Sequence, residues 1–273
     1  MRPDAWREGA SRFHLPGESA LNPTPKISPA GLDAWAGARR TVALTGAGVS
    51  AESGIPTFRG AGGLWNGRRP EDLASPEAFA ADPKLVWEFY DWRRSVIHQA
   101  APNPAHAALA ALEEGSEGFV LLTQNIDGFH RDAGSRNVVE LHGNIWEVRS
   151  AAGGEVTENR QVPLDPLPPR TETGALLRPN VVWFGEGLDP KVLETALEAA
   201  SRCDFMIVAG TSAVVQPAAH LPVLAKRNGA YILEVNPEPT PISGWADETL
   251  LGKAGEVLPE IADDVDRARR SGR

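Results

Sequence analysis

Residues 41–60 constrain this chain more than any other stretch, because an apolar run there ends in two glycines and then in a polar loop. Thr41, Val42, Ala43 and Leu44 have the unbroken apolar character of a strand buried on both faces, and Gly46 and Gly48 follow at once. A glycine pair after such a strand lets the backbone turn tightly and approach a pyrophosphate, whose charge suits a helix N-terminus. The same fragment alone also reads as an ordinary strand-to-helix corner. A dehydrogenase of the usual dinucleotide type would place an Asp or Glu at the end of its second strand, about 20 residues on. Here that region holds Trp65, Asn66, Gly67, Arg68, Arg69, Pro70, Glu71 and Asp72, a loop or helix start. A bound dinucleotide remains compatible with this pattern, and hydride transfer is disfavoured.

The arrangement recurs. Apolar residues 119–122 run into Gln124, Asn125, Ile126 and Asp127, and Val138 and Val139 lead to Glu140, His142 and Asn144. Residues 205–209 close on Gly210, Thr211 and Ser212, and residues 231–235 on Asn236. The expected fold is therefore α/β, a Rossmann-like doubly wound parallel sheet with its ligand at the carboxyl ends of the strands. Ser50, Glu52 and Ser53 suit the capping of a following helix. Asp82 and Pro83 form a helix start, and on that helix Tyr90 and Arg93 share a face. Arg94 points about 100 degrees away. Arginine can bind a carboxylate through two parallel hydrogen bonds and tyrosine adds a hydroxyl; the plain alternative is a surface arginine beside a packed tyrosine. Among six histidines, His130 and His142 sit in these loops. Either could act as a base near neutral pH, and residue type does not separate them.

The ordered motifs GAGVSAESGIPTFRG at 46–60, TQNIDGFH at 123–130, ELHGN at 140–144, RPNVVWFGE at 178–186, GTS at 210–212 and the turn at Asn236 resemble the sirtuin family of NAD-dependent protein lysine deacylases. The resemblance spans about residues 31–262. It implies NAD+ as co-substrate, with the acyl-lysine carbonyl oxygen displacing nicotinamide and O-acyl-ADP-ribose as product. It implies His142 as base, Asn125 ordering a water or the ribose, Asp127 holding the nicotinamide carboxamide and Gln124 touching the ribose. Further cofactor contacts carry over to Gly46, Ala47, Gly48, Phe58, Arg59, Trp65, Ile126, Gly210, Thr211, Ser212, Asn236, Pro237, Glu238 and Ala254. Substrate contacts carry over to Val182, Phe184, Gly185 and Glu186, in a segment that would pair with the substrate backbone as a strand. Tyr90 and Arg93 resemble the subgroup that removes succinyl and malonyl groups. An ADP-ribosyltransferase or an NAD-sensing module on the same fold is the alternative.

One departure from the family stands out. Its members carry two cysteine pairs holding a structural zinc after the catalytic histidine, whereas this chain has a single cysteine, Cys203, elsewhere. Residues 147–177 contain no Cys or His, so a metal-free module held by proline stiffness and packing is expected. A balance of 27 basic against 36 acidic residues, net −9, disfavours nucleic acid and anionic membrane surfaces. No apolar run approaches the 18 or so residues of a membrane span. A cytoplasmic address is expected, with a monomer favoured, and the resemblance implies acylated-lysine proteins as substrates. The expected division is an extension at 1–30, a sheet lobe at 31–65, 100–147 and 178–262, a small lobe at 66–99 and 148–177, and a tail at 263–273.

Overall fold

The computed structural model describes residues 24–57, 65 and 67–271. The chain enters through α1 (Pro29–Gly37), capped by the Ser28 hydroxyl, and β1 (Thr41–Thr45), buried throughout. After Gly46 comes one helical turn, α2 (Ala47–Ser50), and a 3-10 turn that ends at Gly54 with φ +84. The helix behind the glycines is this short because Gly54 turns the chain into the left-handed region and Pro56 follows. Helices α3 (Pro76–Ala81), α4 (Pro83–His98) and α5 (Pro104–Glu114) each begin with proline at an early position. Their N-caps, Ser75, Asp82 and Asn103, each accept a hydrogen bond from the first turn. Next come β2 (Phe119–Thr123), α6 (Phe129–Asp132), β3 (Val138–Glu140), β4 (Gly143–Ser150), β5 (Val156–Glu158) and β6 (Leu177–Val181). The remainder is α7 (Pro190–Arg202), β7 (Phe205–Ala209), α8 (Leu221–Arg227), β8 (Tyr231–Asn236), β9 (Glu248–Leu251) and α9 (Ala254–Arg270).

Six strands form one parallel sheet in the order β3-β2-β1-β7-β8-β9. This is the doubly wound order of dinucleotide-binding folds, and it reverses between β1 and β7, where such folds bind ligands. Alternate strand residues face opposite layers. Ala43, Leu121, Ile207 and Leu233 pack with Leu109 and Leu112 of α5 and with Val257, Leu258 and Ile261 of α9. Val42, Leu44, Leu122, Met206 and Ile232 pack instead with Ala196 and Ala200 of α7 and Leu221 of α8. A second core joins α3, α4 and the antiparallel sheet β5-β4-β6 around Trp87, Phe89, Ile145 and Trp183.

Three features extend past the expected limits. The small sheet starts at Gly143 and closes at Val181, beyond the stretch 148–177. Helix α9 continues to Arg270 through most of the expected tail, since Val265 continues its apolar stripe and is buried. Ile27 is buried and Ser28 donates from its amide and hydroxyl to Glu248, so these residues of the extension are built into the fold. No helix among the described residues is long and apolar enough to cross a membrane.

Candidate active site

The reversal point between β1 and β7 is a seam of main chain against main chain. A Cβ on Gly46 would lie 2.7 Å from Thr211 Cβ, and one on Gly48 2.7 Å from the Gly210 carbonyl oxygen. Gly210, at φ +59, would place a Cβ 2.4 Å from the Val49 nitrogen. Any side chain at these positions forces the two loops apart. Hydrogen bonds tie the neighbouring strand ends to the seam. Gln124 donates to the Thr211 hydroxyl at 2.9 Å, Asn236 donates to the Thr211 carbonyl at 2.7 Å, and Gly252 N donates to the Asn236 carbonyl at 3.0 Å. Thr211 is buried, Ser212 half-buried, and Pro237 and Glu238 exposed. Ala254 is buried at the start of α9, where Glu52 accepts from Gly255 N at 2.6 Å. Glu52 therefore caps α9 across the fold.

His142 lies between β3 and β4, half-buried. Its Nδ1 is 3.0 Å from the Gln124 carbonyl oxygen. A carbonyl only accepts, so Nδ1 carries the proton and Nε2 of the neutral ring is the basic atom. Burial pulls its pKa below the ordinary histidine value, with the Gln124 bond opposing. His130 differs sharply. It is 2% exposed and its Nε2 lies 2.9 Å from the Thr45 hydroxyl. Burial pushes its pKa down to about 3, which keeps it a neutral core residue.

Beneath the seam lies a polar network that residue spacing did not reveal. His106 Nδ1 accepts from Asn103 N at 3.1 Å, so its Nε2–H points to the Ser50 hydroxyl 3.3 Å away. Ser50 donates to Asp127 Oδ2 at 2.7 Å and accepts from Asn125 Nδ2 at 3.2 Å. Ser50 is thus a buried network member rather than a helix cap. The second Asn125 amide proton goes to the Gly46 carbonyl at 3.1 Å, leaving Oδ1 as that side chain's acceptor. Asp127 Oδ1 accepts from Phe129 N at 2.9 Å, and burial drives this carboxyl upward against those bonds and the Arg93 charge. Burial also lowers the pKa of His106 to about 4. The polar character of Ser50, Glu52 and Ser53 suggests capping, and only the three-dimensional approach of α5 exposes the other role of Ser50.

On α4, Tyr90 is 3% and Arg93 7% exposed, on one face as spaced. The Tyr90 hydroxyl accepts from Trp183 Nε1 at 3.0 Å, and the Arg93 charge interacts with Tyr90 and Asp127. Burial raises the Tyr90 pKa and lowers that of Arg93. Trp65 packs edge-on to Phe89 at 5.8 Å on the same helix. Arg94 is wholly buried, bonded to the Asn159 carbonyl and Oδ1, with its guanidinium 5.3 Å from the Trp146 ring. The turn of the helix carries it into the second core rather than away into solvent, so Arg94 is unsuited as a neutral control for Arg93.

Phe184 is 45% exposed and Gly185 is exposed beside it, yet the Val182 and Phe184 amides already donate to His142 and Ala74 carbonyls. Glu186 is held bidentate by Arg178 at 2.6 and 2.8 Å and accepts from Trp183 N, which fixes the loop instead of presenting a free carboxylate. Ile126 is half-buried, and its carbonyl accepts from Ile145 N. Phe58 and Arg59 lie outside the described residues. In the stretch without Cys or His, Ser150 accepts from Ala152 N, and Thr171 accepts from Ala175 N at 3.0 Å, each turn closing on itself.

The family model described as Sir2 family matches residues 46–217. NAD-dependent protein deacylase 1 of Archaeoglobus fulgidus is 54% identical over 228 residues, covering 83% of this chain and 93% of the relative. A solved Sir2 homologue in complex with NAD is 50% identical with a TM-score of 0.85, covering 90% of this chain and 96% of that one. A mutant Sir2 homologue with bound 2'-O-acetyl ADP ribose is 51% identical with a TM-score of 0.85, covering 89% and 98%.

Proposed function

The chain belongs to the Sir2 family and is an NAD-dependent protein deacylase, and from that premise we propose that it removes acetyl, succinyl and malonyl groups from lysine side chains. The Tyr90 and Arg93 pair carries the acidic-acyl reading, because the two share one buried face of α4 and interact with each other, with the Arg93 charge also felt at Asp127. A guanidinium can hold an acyl carboxylate through two parallel hydrogen bonds, and the neighbouring tyrosine adds a hydroxyl.

NAD+ suits the glycine seam, where main chain stands in place of side chains at the topological switch point. When bound it supplies the glycosidic bond that breaks as nicotinamide leaves. Gly46, Ala47, Gly48, Gly210, Thr211 and Ser212 would hold its phosphates and ribose, with Gln124 on a ribose hydroxyl and Asn236, Pro237, Glu238 and Ala254 on the adenosine side. Ile126 and Trp65 would border the nicotinamide end, and Asp127 would take its carboxamide. Asn125, oriented by Gly46 and Ser50, would order a water or the ribose through Oδ1. His142 would take a ribose hydroxyl proton on Nε2, the atom its bond to Gln124 leaves basic. Substrate would lie between the sheet lobe and the small lobe, along Val182, Phe184 and Gly185, with Glu186 bracing that loop.

Incubation with NAD+ and acetyl, succinyl and malonyl peptides, with mass detection, tests the acyl range. Succinyl and malonyl peptides are expected to yield free lysine, nicotinamide and O-acyl-ADP-ribose at rates at least equal to the acetyl peptide. Turnover of acetyl peptide alone would leave the deacylase and remove the acidic-acyl reading.

The small lobe is proposed to be metal-free, since residues 147–177 offer no Cys or His. Elemental analysis is expected to find no stoichiometric zinc, and a strong chelator should not lower the melting temperature. About one zinc per chain, or a chelator-induced drop, would overturn this, because structural metal binding is coupled to folding.

A further inference from the structure

We infer that Trp146 is a positioning residue for the nicotinamide end of the cofactor, acting through the main chain of Asp127; the inference rests on the reading of Asp127 given above. Trp146 lies on β4, 5% exposed, and its indole N–H donates to the Asp127 carbonyl oxygen at 2.8 Å. The Asp127 carboxylate is held separately, by Ser50 and by Phe129 N. The peptide carbonyl and the side chain of one residue are thus fixed from three elements, β4, α2 and α6. The next residue is Gly128, at φ +84, which has no side chain to restrain its own backbone. Trp146 supplies the missing wall: a Cβ built on Gly128 would meet Trp146 Cδ1 at 3.3 Å.

The indole is itself clamped by the small lobe. The Arg94 and Arg160 guanidiniums lie 5.3 and 5.7 Å from its ring centroid, within the range of a cation–π contact. Asn144 Oδ1 accepts from Trp146 N at 2.9 Å, and the Trp146 carbonyl accepts from Asn159 N at 2.7 Å. Arg94, reaching from α4, bonds the Asn159 carbonyl in turn. The helix that carries Tyr90 and Arg93 is therefore joined through Asn159 and Trp146 to the loop that would grip the carboxamide.

Trp146→Phe tests this, because phenylalanine keeps an aromatic ring near the arginines while removing the N–H along with the rest of the five-membered ring, and the ADP-ribose arm separates the lost bond from the lost volume. NAD+ and ADP-ribose, which lacks nicotinamide, are titrated separately by calorimetry into the wild-type, Trp146→Phe and Asp127→Asn proteins. Trp146→Phe is expected to weaken NAD+ binding about tenfold, the order expected when a buried acceptor loses its donor. ADP-ribose affinity should stay at the wild-type value, and inhibition by nicotinamide should weaken in step with NAD+. Equal weakening of both ligands would make Trp146 merely structural and overturn the inference. So would unchanged NAD+ affinity while Asp127→Asn loses it. If Asp127→Asn itself leaves NAD+ binding unchanged, the assignment of Asp127 falls and takes the inference with it.

Discussion

His142→Ala is expected to lower deacylation turnover by about 10²–10⁴-fold, the span a positioned general base contributes. NAD+ affinity, measured by calorimetry, should stay close to wild type, because the imidazole makes one bond to the cofactor loops, at the Gln124 carbonyl, while those loops are tied to one another independently through Thr211, Asn236 and Gly210. The wild-type pH profile should carry the same signature. Only the neutral ring accepts a proton, and burial holds the His142 pKa below the ordinary value of 6.5. The rate is therefore flat through neutrality and falls only as acid protonates a ring that resists it. A variant that kept most of its turnover would dismiss His142 as the base.

Arg93→Met is expected to cut kcat/KM on succinyl-lysine about 10–100-fold and to change acetyl-lysine little. The magnitude follows from a hydrogen bond to a charged group, about 1.5–3 kcal/mol, at 1.4 kcal/mol per tenfold. Lys84→Met is the suitable control, since it removes one positive charge from the same helix at a side chain 66% exposed. Arg94→Met would instead strip a buried guanidinium from Asn159 and Trp146 and confound activity with stability. Equal losses on both substrates in the Arg93 variant would mark that residue as structural.

Much of the sheet lobe is legible because its signals are local. An apolar run followed by Gly, Asn or His marks each strand end, and these runs become β1, β2, β3, β7 and β8. Edge strand β9 is not legible, since Glu248 and Thr249 break the apolar run and leave only Leu250 and Leu251 to mark it. Tyr90 and Arg93 can be placed on one helix face by counting, but the burial of Arg94 depends on Asn159 and Trp146, which the small lobe brings to α4 only when folded. Ser50 illustrates the same limit. Its polar side chain after the glycines suggests a cap, and its actual partners, His106, Asn125 and Asp127, sit 56, 75 and 77 positions away. Contacts between distant segments leave no periodic trace in sequence.

The parallel sheet also sets an order of events during synthesis. β1 is made early, yet it pairs with β2 on one side and with β7, which begins at Phe205, on the other. Parallel pairings between distant segments close late, after long loops have been gathered. A nascent chain short of residue 205 has no Gly210 against which Gly46 and Gly48 can seat, and no Asn236 to lock the next loop. The dinucleotide seam is accordingly completed only after most of the chain has left the ribosome, so an unfinished molecule cannot use up cofactor.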